Sequence, residues 1–368
     1  MLFGLAACGG VVQPQAQEAP QAEQAAEGAQ EQVTGVQEEV APQSDLAGIK
    51  TYLLEQAGEL KTHTTALKTA GNKYYEMAKT ANFDYARLWQ EQPDEVVKVI
   101  EEGRAAWMAA SPSYEQIEGL VAGVPSLAEY DVILDAGAAG SEDPEGAVPF
   151  DLTLPDGKVL PKPGNLFGVT ESTLWGTYPE YTVTTVAADF NKDGKLDFGE
   201  ALPEANVLKA GVDELDRYTA ELLIQAEAWQ PTESDAFTAL VVMVPTMSEY
   251  FGSWKNSRFV LGDKSTQRDF VAISRLADIQ DILGGLQVTY QGVSPQVEGV
   301  DPDQDTQIEQ GLTDLKAFVA DVQNQESSGK RFTPEEADLL GAEAQDRATA
   351  ITGKISQVAG QLEIEIQE

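Results

Sequence analysis

Residues 44–82 read SDLAGIKTYLLEQAGELKTHTTALKTAGNKYYEMAKTAN. Leu53, Leu60, Leu67 and Tyr74 recur every seven residues, and Ile49, Ala57, Thr64 and Ala78 fill the alternate seam. An apolar stripe of that period runs along one side of an α-helix and needs partner helices to bury it. Ser44 or Asp45 offers an N-cap oxygen, and Asn82 marks the end or a turn. The stretch predicts one long helix packed in an antiparallel bundle.

The same pattern continues outward. A second helix is expected over Pro93–Met108, with Val96, Val97, Ile100 and Trp107 inward, and a third from near Ser113. Further helices are expected at about 211–229, 234–252 and 267–290. Ile308, Leu312, Leu315, Val319 and Val322 repeat at three- and four-residue spacing. Pro334 suits a first helical turn after the cap Thr333, and Ile351, Ile355, Val358 and Leu362 carry the pattern to the end. Between lies a different texture. Residues 136–188 are rich in Gly, Pro, Asp and Thr, and Thr182–Val186 is strand-like. The expected architecture is all-α: a helical bundle over 44–135, an irregular segment over 136–210, and a second antiparallel, four-helix-type bundle over 211–368.

The chain has 61 acidic and 24 basic residues, a formal charge of −37. Such a surface repels phosphates of nucleic acid and anionic lipid headgroups and attracts cations. Cys8 is the single cysteine, so no intrachain disulfide can form. It follows Leu5-Ala6-Ala7, small and apolar residues that resemble a bacterial lipobox, in which the cysteine is lipidated. The apolar stretch before it is short and lacks basic residues, so residues 1–8 read as a truncated lipoprotein signal. Residues 9–43 contain no Lys, Arg or aromatic residue and cannot bury enough apolar area to order themselves. They read as a disordered tether. The expected location is extracytoplasmic, periplasm or cell surface, with the membrane reached only through the anchor at Cys8.

Residues 189–200 carry a calcium motif. Asp189, Asn191, Asp193 and Asp197 place oxygen at loop positions 1, 3, 5 and 9, and Glu200 can give two oxygens at position 12. Gly194 stands at the sharp turn, Lys195 contributes its carbonyl, and Leu196 takes the usual apolar position. No second loop of this type is visible in the sequence. A lone site filled by abundant extracellular calcium, at about 10⁻⁴ to 10⁻³ M, reads as a structural clamp rather than a switch.

A second set of carboxylates follows Pro112. Tyr114, Glu115 and Glu118 share one helical face, with Asp131 downstream. Carboxylates beside a tyrosine suit a hard ion such as ferric iron, although a solvated acidic face would look the same. Lys73-Tyr74-Tyr75, Asp84-Tyr85 and the Tyr-x-x-Ile-Glu helix start resemble the imelysin family, which includes the periplasmic component of EfeUOB-type iron-uptake systems. Asn165 to Gly176 is similar to that family's Gly-x-His-x-x-Glu segment followed by Leu-Trp-Gly. Here Gly168 stands at the histidine position and only Glu171 of the pair is kept. The resemblance covers about residues 44–368 and implies two four-helix bundles with a site in the cleft between them. It makes Glu115, Glu118, Asp131 and Glu171 the candidate iron ligands, ferric or ferrous.

The leading expectation is therefore an extracytoplasmic metal-binding lipoprotein accessory to iron uptake, with an iron permease as the expected partner. The alternative is a calcium-stabilised surface protein that binds another protein or a polysaccharide. A hydrolase has little support: His63 is the single histidine, and neither His-Glu-x-x-His nor Gly-x-Ser-x-Gly occurs. The chain reads as a binding protein, not an enzyme. Convergence of the four carboxylates in one pocket would favour iron over the alternative.

Overall fold

The computed structural model describes residues 43–367, which belong to one compact unit. The expectations for residues 1–42, Cys8 included, lie outside the described residues. The chain is all-α with two minimal strand pairs. In order it forms α1 (Leu46–Thr80), α2 (Tyr85–Glu91), α3 (Pro93–Gly123) and α4 (Ala128–Asp131), which runs into a π-helical turn (Val132–Ala136). Next come β1 (Leu152–Thr153), β2 (Val159–Leu160), α5 (Leu166–Trp175), β3 (Thr182–Val183) and β4 (Leu202–Pro203). The rest is α6 (Ala205–Ala228), α7 (Glu233–Met243), α8 (Met247–Asn256), α9 (Arg258–Leu261), α10 (Arg275–Val300), α11 (Pro302–Ser327) and α12 (Pro334–Gln361). No described helix is long and apolar enough to cross a membrane.

The heptad seam of α1 is buried along its whole length, from Ile49 through Leu53, Leu60 and Leu67 to Tyr74 and Ala78. Asp45 caps it by accepting from Gly48 N at 2.8 Å. α3 and α6 cover that seam, and α5 lies against α6. On the other side, α10 packs on α11 and α3, while α12 packs on α8 and α11. Thr333 and Glu336 form a reciprocal capping box on α12, with Pro334 in the first turn.

Three sequence expectations are corrected. The border at residue 211 falls inside α6, which belongs with α1 rather than with the C-terminal helices. Its buried face, Leu208, Val212, Leu215 and Leu222, meets α1, and Asp216 pairs with Lys68 at 3.1 Å. The two helices expected on either side of Pro112 are one, because the proline is absorbed within α3. There Ser113 Oγ donates to Ala109 O at 3.0 Å, next to the Met108 carbonyl that the proline leaves without its helical donor. Residues 267–274 are an irregular loop and not the start of a helix, and α10 begins at Arg275.

Glycines set how closely α3 and α10 approach. A Cβ on Gly285 would fall 2.1 Å from Gln116 O, and one on Gly119 would fall 2.7 Å from Leu286 Cδ2. That contact brings the first turn of α10 to the polar face of α3. Gly285→Ala is expected to force the helices apart and cost about 1–3 kcal/mol as overpacking, read as a lower urea midpoint at unchanged slope.

Candidate metal centre

The interior face of α3 changes character after Pro112. Tyr114, Glu115 and Glu118 are buried where an apolar stripe would ordinarily continue. Across from them, the α4–π segment carries Asp131 and Asp135. Its i→i+5 bond, from Gly137 N to Val132 O at 3.0 Å, marks the wider turn that leaves both carboxyls facing inward. The first turn of α10 adds Arg275 and Asp278, and α8 adds Tyr250. Each of these five carboxylates and the arginine is at most 8% exposed.

The polar contacts are specific. Tyr114 donates to Asp131 Oδ1 at 2.7 Å, and Tyr250 donates to Glu118 Oε1 at 2.7 Å. Arg275 Nη1 lies 3.3 Å from both Glu115 oxygens and 3.3 Å from Asp278 Oδ2, while Nη2 lies 3.7 Å from Asp135. Glu118 Oε2 and Arg275 Nε are buried without a hydrogen-bond partner. Oxygens of Glu115, Glu118 and Asp135 lie within 4.8 Å of one another. Glu118, Asp131, Asp135 and Arg275 open onto a cavity of about 390 Å³, whose rim includes Glu142, Glu249 and Asp269.

Charge dominates the centre. With all five carboxylates ionised against one guanidinium, four negative charges would stand uncompensated in a desolvated site. Burial accordingly pushes the Glu115 and Asp135 carboxyls well above the usual range. It pushes Asp131 to about 7 and Asp278 to about 6, against the lowering pull of Arg275. Such a set either holds protons or holds a cation. The donors are oxygen only, which suits hard multivalent ions and not zinc or copper.

Of the four sequence candidates, Glu115 and Glu118 meet, and Asp131 faces the same cavity. Glu171 is separate in role. Its carboxylate accepts from the backbone N–H groups of Phe270, Val271 and Ala272 at 2.7, 2.9 and 2.8 Å. It holds the loop before α10 in place, with Phe270 at φ +52°, so its oxygens are committed to the chain. Burial pushes its carboxyl up to about 8 although those N–H donors pull it down. Arg275, Asp278, Asp135 and Tyr250 were missed as site members. The Arg275-x-x-Asp278 pair at a helix start, inside an otherwise apolar pattern, was the available signal.

Gly168 forms part of the cavity wall. A Cβ there would stand 2.9 Å from Asp269 Oδ2 and 3.1 Å from Asn165 Oδ1, so a side chain does not fit without rearrangement.

Residues 189–200 fold as a tight loop between β3 and β4, which pair with Val183 opposite Leu202. Asp189 accepts from Asp193 N and Gly194 N, Asn191 from Asp193 N, and Asp193 from Lys195 N. Gly194 adopts φ +86°. Glu200 turns inward and accepts from the amides of Phe190, Asn191 and Asp197 at 3.0, 3.0 and 2.8 Å. No helix enters the loop, and Leu196, read as an apolar anchor, is 58% exposed. The loop docks on α3 through Arg104, which donates to Leu174 O and Gly199 O and lies over the Phe190 ring.

Residues 47–355 match the imelysin family. The chain belongs to the imelysin family. The fold comparison agrees: a crystal structure of a Parabacteroides distasonis protein, described as an iron-regulated protein A precursor, superposes with a TM-score of 0.53. It is 15% identical, and the match covers 87% of this chain and 97% of that one, which shows a shared fold. No curated protein matches the sequence. In this imelysin the helices place the carboxylate centre at the meeting of α3, α4, α8 and α10.

Proposed function

We propose that this imelysin is an extracytoplasmic metal-binding lipoprotein accessory to iron uptake, and that iron is the cargo of the carboxylate centre. The observation that carries the reading is Glu118. One oxygen is held by Tyr250, the other is buried and unpartnered, and the side chain brings an oxygen within 4.8 Å of those of Glu115 and Asp135. A buried carboxylate oxygen left without a donor is costly, and a hard cation would relieve it. The neighbour's description as an iron-regulated protein agrees in theme. The sequence supports anchorage at Cys8 and an iron permease as the receiving partner. In this reading the protein binds and passes on its ion and has no catalytic step.

A structural calcium ion in the 189–200 loop belongs to the same proposal. Asp189, Asn191, Asp193, Asp197 and Glu200 would supply side-chain oxygens and Lys195 its carbonyl. Glu200 would exchange amide donors for the ion. The test is calorimetric titration and metal analysis of the purified chain, first with calcium and then with ferric citrate. One calcium and a separate iron are expected. Asp189→Ala should abolish the calcium heat and the calcium-dependent rise in melting temperature while iron uptake persists. Binding of calcium alone would redirect attention to a surface protein that recognises protein or polysaccharide.

A further inference from the structure

Arg275 is an unusual occupant for a site built to hold a cation. Its guanidinium is a rigid fork that normally closes on one carboxylate with two short bonds of about 2.7–2.9 Å. Here it closes on none. Nη1 is shared among Glu115 and Asp278 at 3.3 Å, Nη2 stands 3.7 Å from Asp135, and Nε has no acceptor. The rings of Phe270 and Tyr250 lie 4.3 and 4.7 Å from Cζ and offer the guanidinium a second kind of seat. Beside it, oxygens of Glu115, Glu118 and Asp135 stand within 4.8 Å of one another. An ion centred among three oxygens so spaced lies at most about 2.8 Å from each, so a shift of a few tenths of an ångström brings all three to the 2.0–2.6 Å bond of a hard cation.

We propose that Arg275 is a resident counter-ion that an incoming metal displaces. The ion takes Glu115, Glu118 and Asp135, and the guanidinium retreats onto Asp278 and the two rings. This rests on the metal-binding reading and adds a threshold to it. A monovalent cation gains no more from the carboxylates than the guanidinium already does. A di- or trivalent ion gains two or three times as much per contact, because Coulomb energy scales with charge. Arg275 therefore lowers affinity for every cation but rejects the monovalent ones outright. The same residue holds the centre together when no metal is present.

The test compares the full chain with Arg275→Met and Arg275→Lys, using Fe²⁺ under argon and K⁺ as probes, by calorimetry and thermal melting. Arg275→Met should bind Fe²⁺ about 10- to 100-fold more tightly than the wild type, melt earlier without metal, and gain more from its addition. Arg275→Lys cannot span Glu115 and Asp135 together and should bind several-fold more tightly, which decides the matter if the Met variant does not fold. Binding by the variants but not by the wild type would also support the displacement. Equal or weaker Fe²⁺ binding in the variants would overturn it while leaving the metal site intact. Absence of Fe²⁺ binding in all three proteins would instead overturn the metal-binding reading itself.

Discussion

Glu118→Gln is expected to weaken iron binding by at least about 100-fold, or about 2.7 kcal/mol, with the fold unchanged. The amide keeps the shape of the side chain and can still accept from Tyr250, so the packing between α3 and α8 survives. The variant loses the negative charge and the unpartnered oxygen on which the site depends. Far-ultraviolet circular dichroism would confirm the fold, and calorimetry would read the affinity.

The same titration has a pH signature. Glu115, Asp131, Asp135 and Asp278 all have carboxyls raised by burial, Asp131 to about 7 and Asp278 to about 6. Around them stand Glu118, Tyr114, Tyr250 and Arg275, and among the described residues Arg275 is the positive group paired with them while Arg268 lines the same cavity. Metal must displace protons, so affinity should climb as pH rises through 6 to 7, with protons released on binding. In the metal-free protein the folded pKa values lie above the unfolded value of about 3.9 for Asp. The folded state then holds more protons than the unfolded one between about 4 and 7. Its stability should be greatest below about pH 4 with respect to these groups and fall as pH rises. Added iron should flatten that slope. A metal-free protein whose stability rises steadily from pH 4 to 7 would contradict the protonated cluster.

The largest stability effect is expected at Glu171. Glu171→Ala removes the acceptor for three loop N–H groups at once. Val271 N is buried while Phe270 N and Ala272 N are partly solvated, so at about 1–3 kcal/mol for the first and about 1 kcal/mol for each of the others the loss should be about 3–5 kcal/mol. Proteolysis should then nick the 265–274 loop first. Glu171→Gln keeps one acceptor oxygen for Val271 and Ala272 and should fall between the two. Because this loop leads into Arg275, which competes with the ion for Glu115 and Asp135, the alanine variant should also bind iron more tightly, through a displaced guanidinium and not through a changed ligand. Equal stability of all three proteins would sink the clamp assignment.

Much of the fold was legible because apolar periodicity is a local property. The seam from Leu53 to Tyr74, the capping box at Thr333 and the run from Ile308 to Val322 each declare a helix without reference to distant residues. Assignment of α6 to its neighbours was not legible, because its apolar face could have met either group of helices. The site was half legible. Glu115 and Glu118 stand out as carboxylates on the face that Ile117 and Leu120 mark as inward. Asp135 depends on a π-turn that no spacing rule announces, and Arg275 depends on a glycine contact with α3 across the body. The loop-holding role of Glu171 was not legible, because a carboxylate that caps a loop and one that binds a metal look the same in one dimension.

The pairing of Val183 with Leu202 has a consequence beyond the calcium loop. The chain leaves and rejoins the helical body at two residues that already touch. Ala188 and Phe190 pack into the body, but the exposed tip between them and Gly199, Leu196 included, can change in length and content without redirecting α5 or α6. Such a boundary lets evolution, or an engineer, graft a different loop there while the carboxylate centre stays as it is.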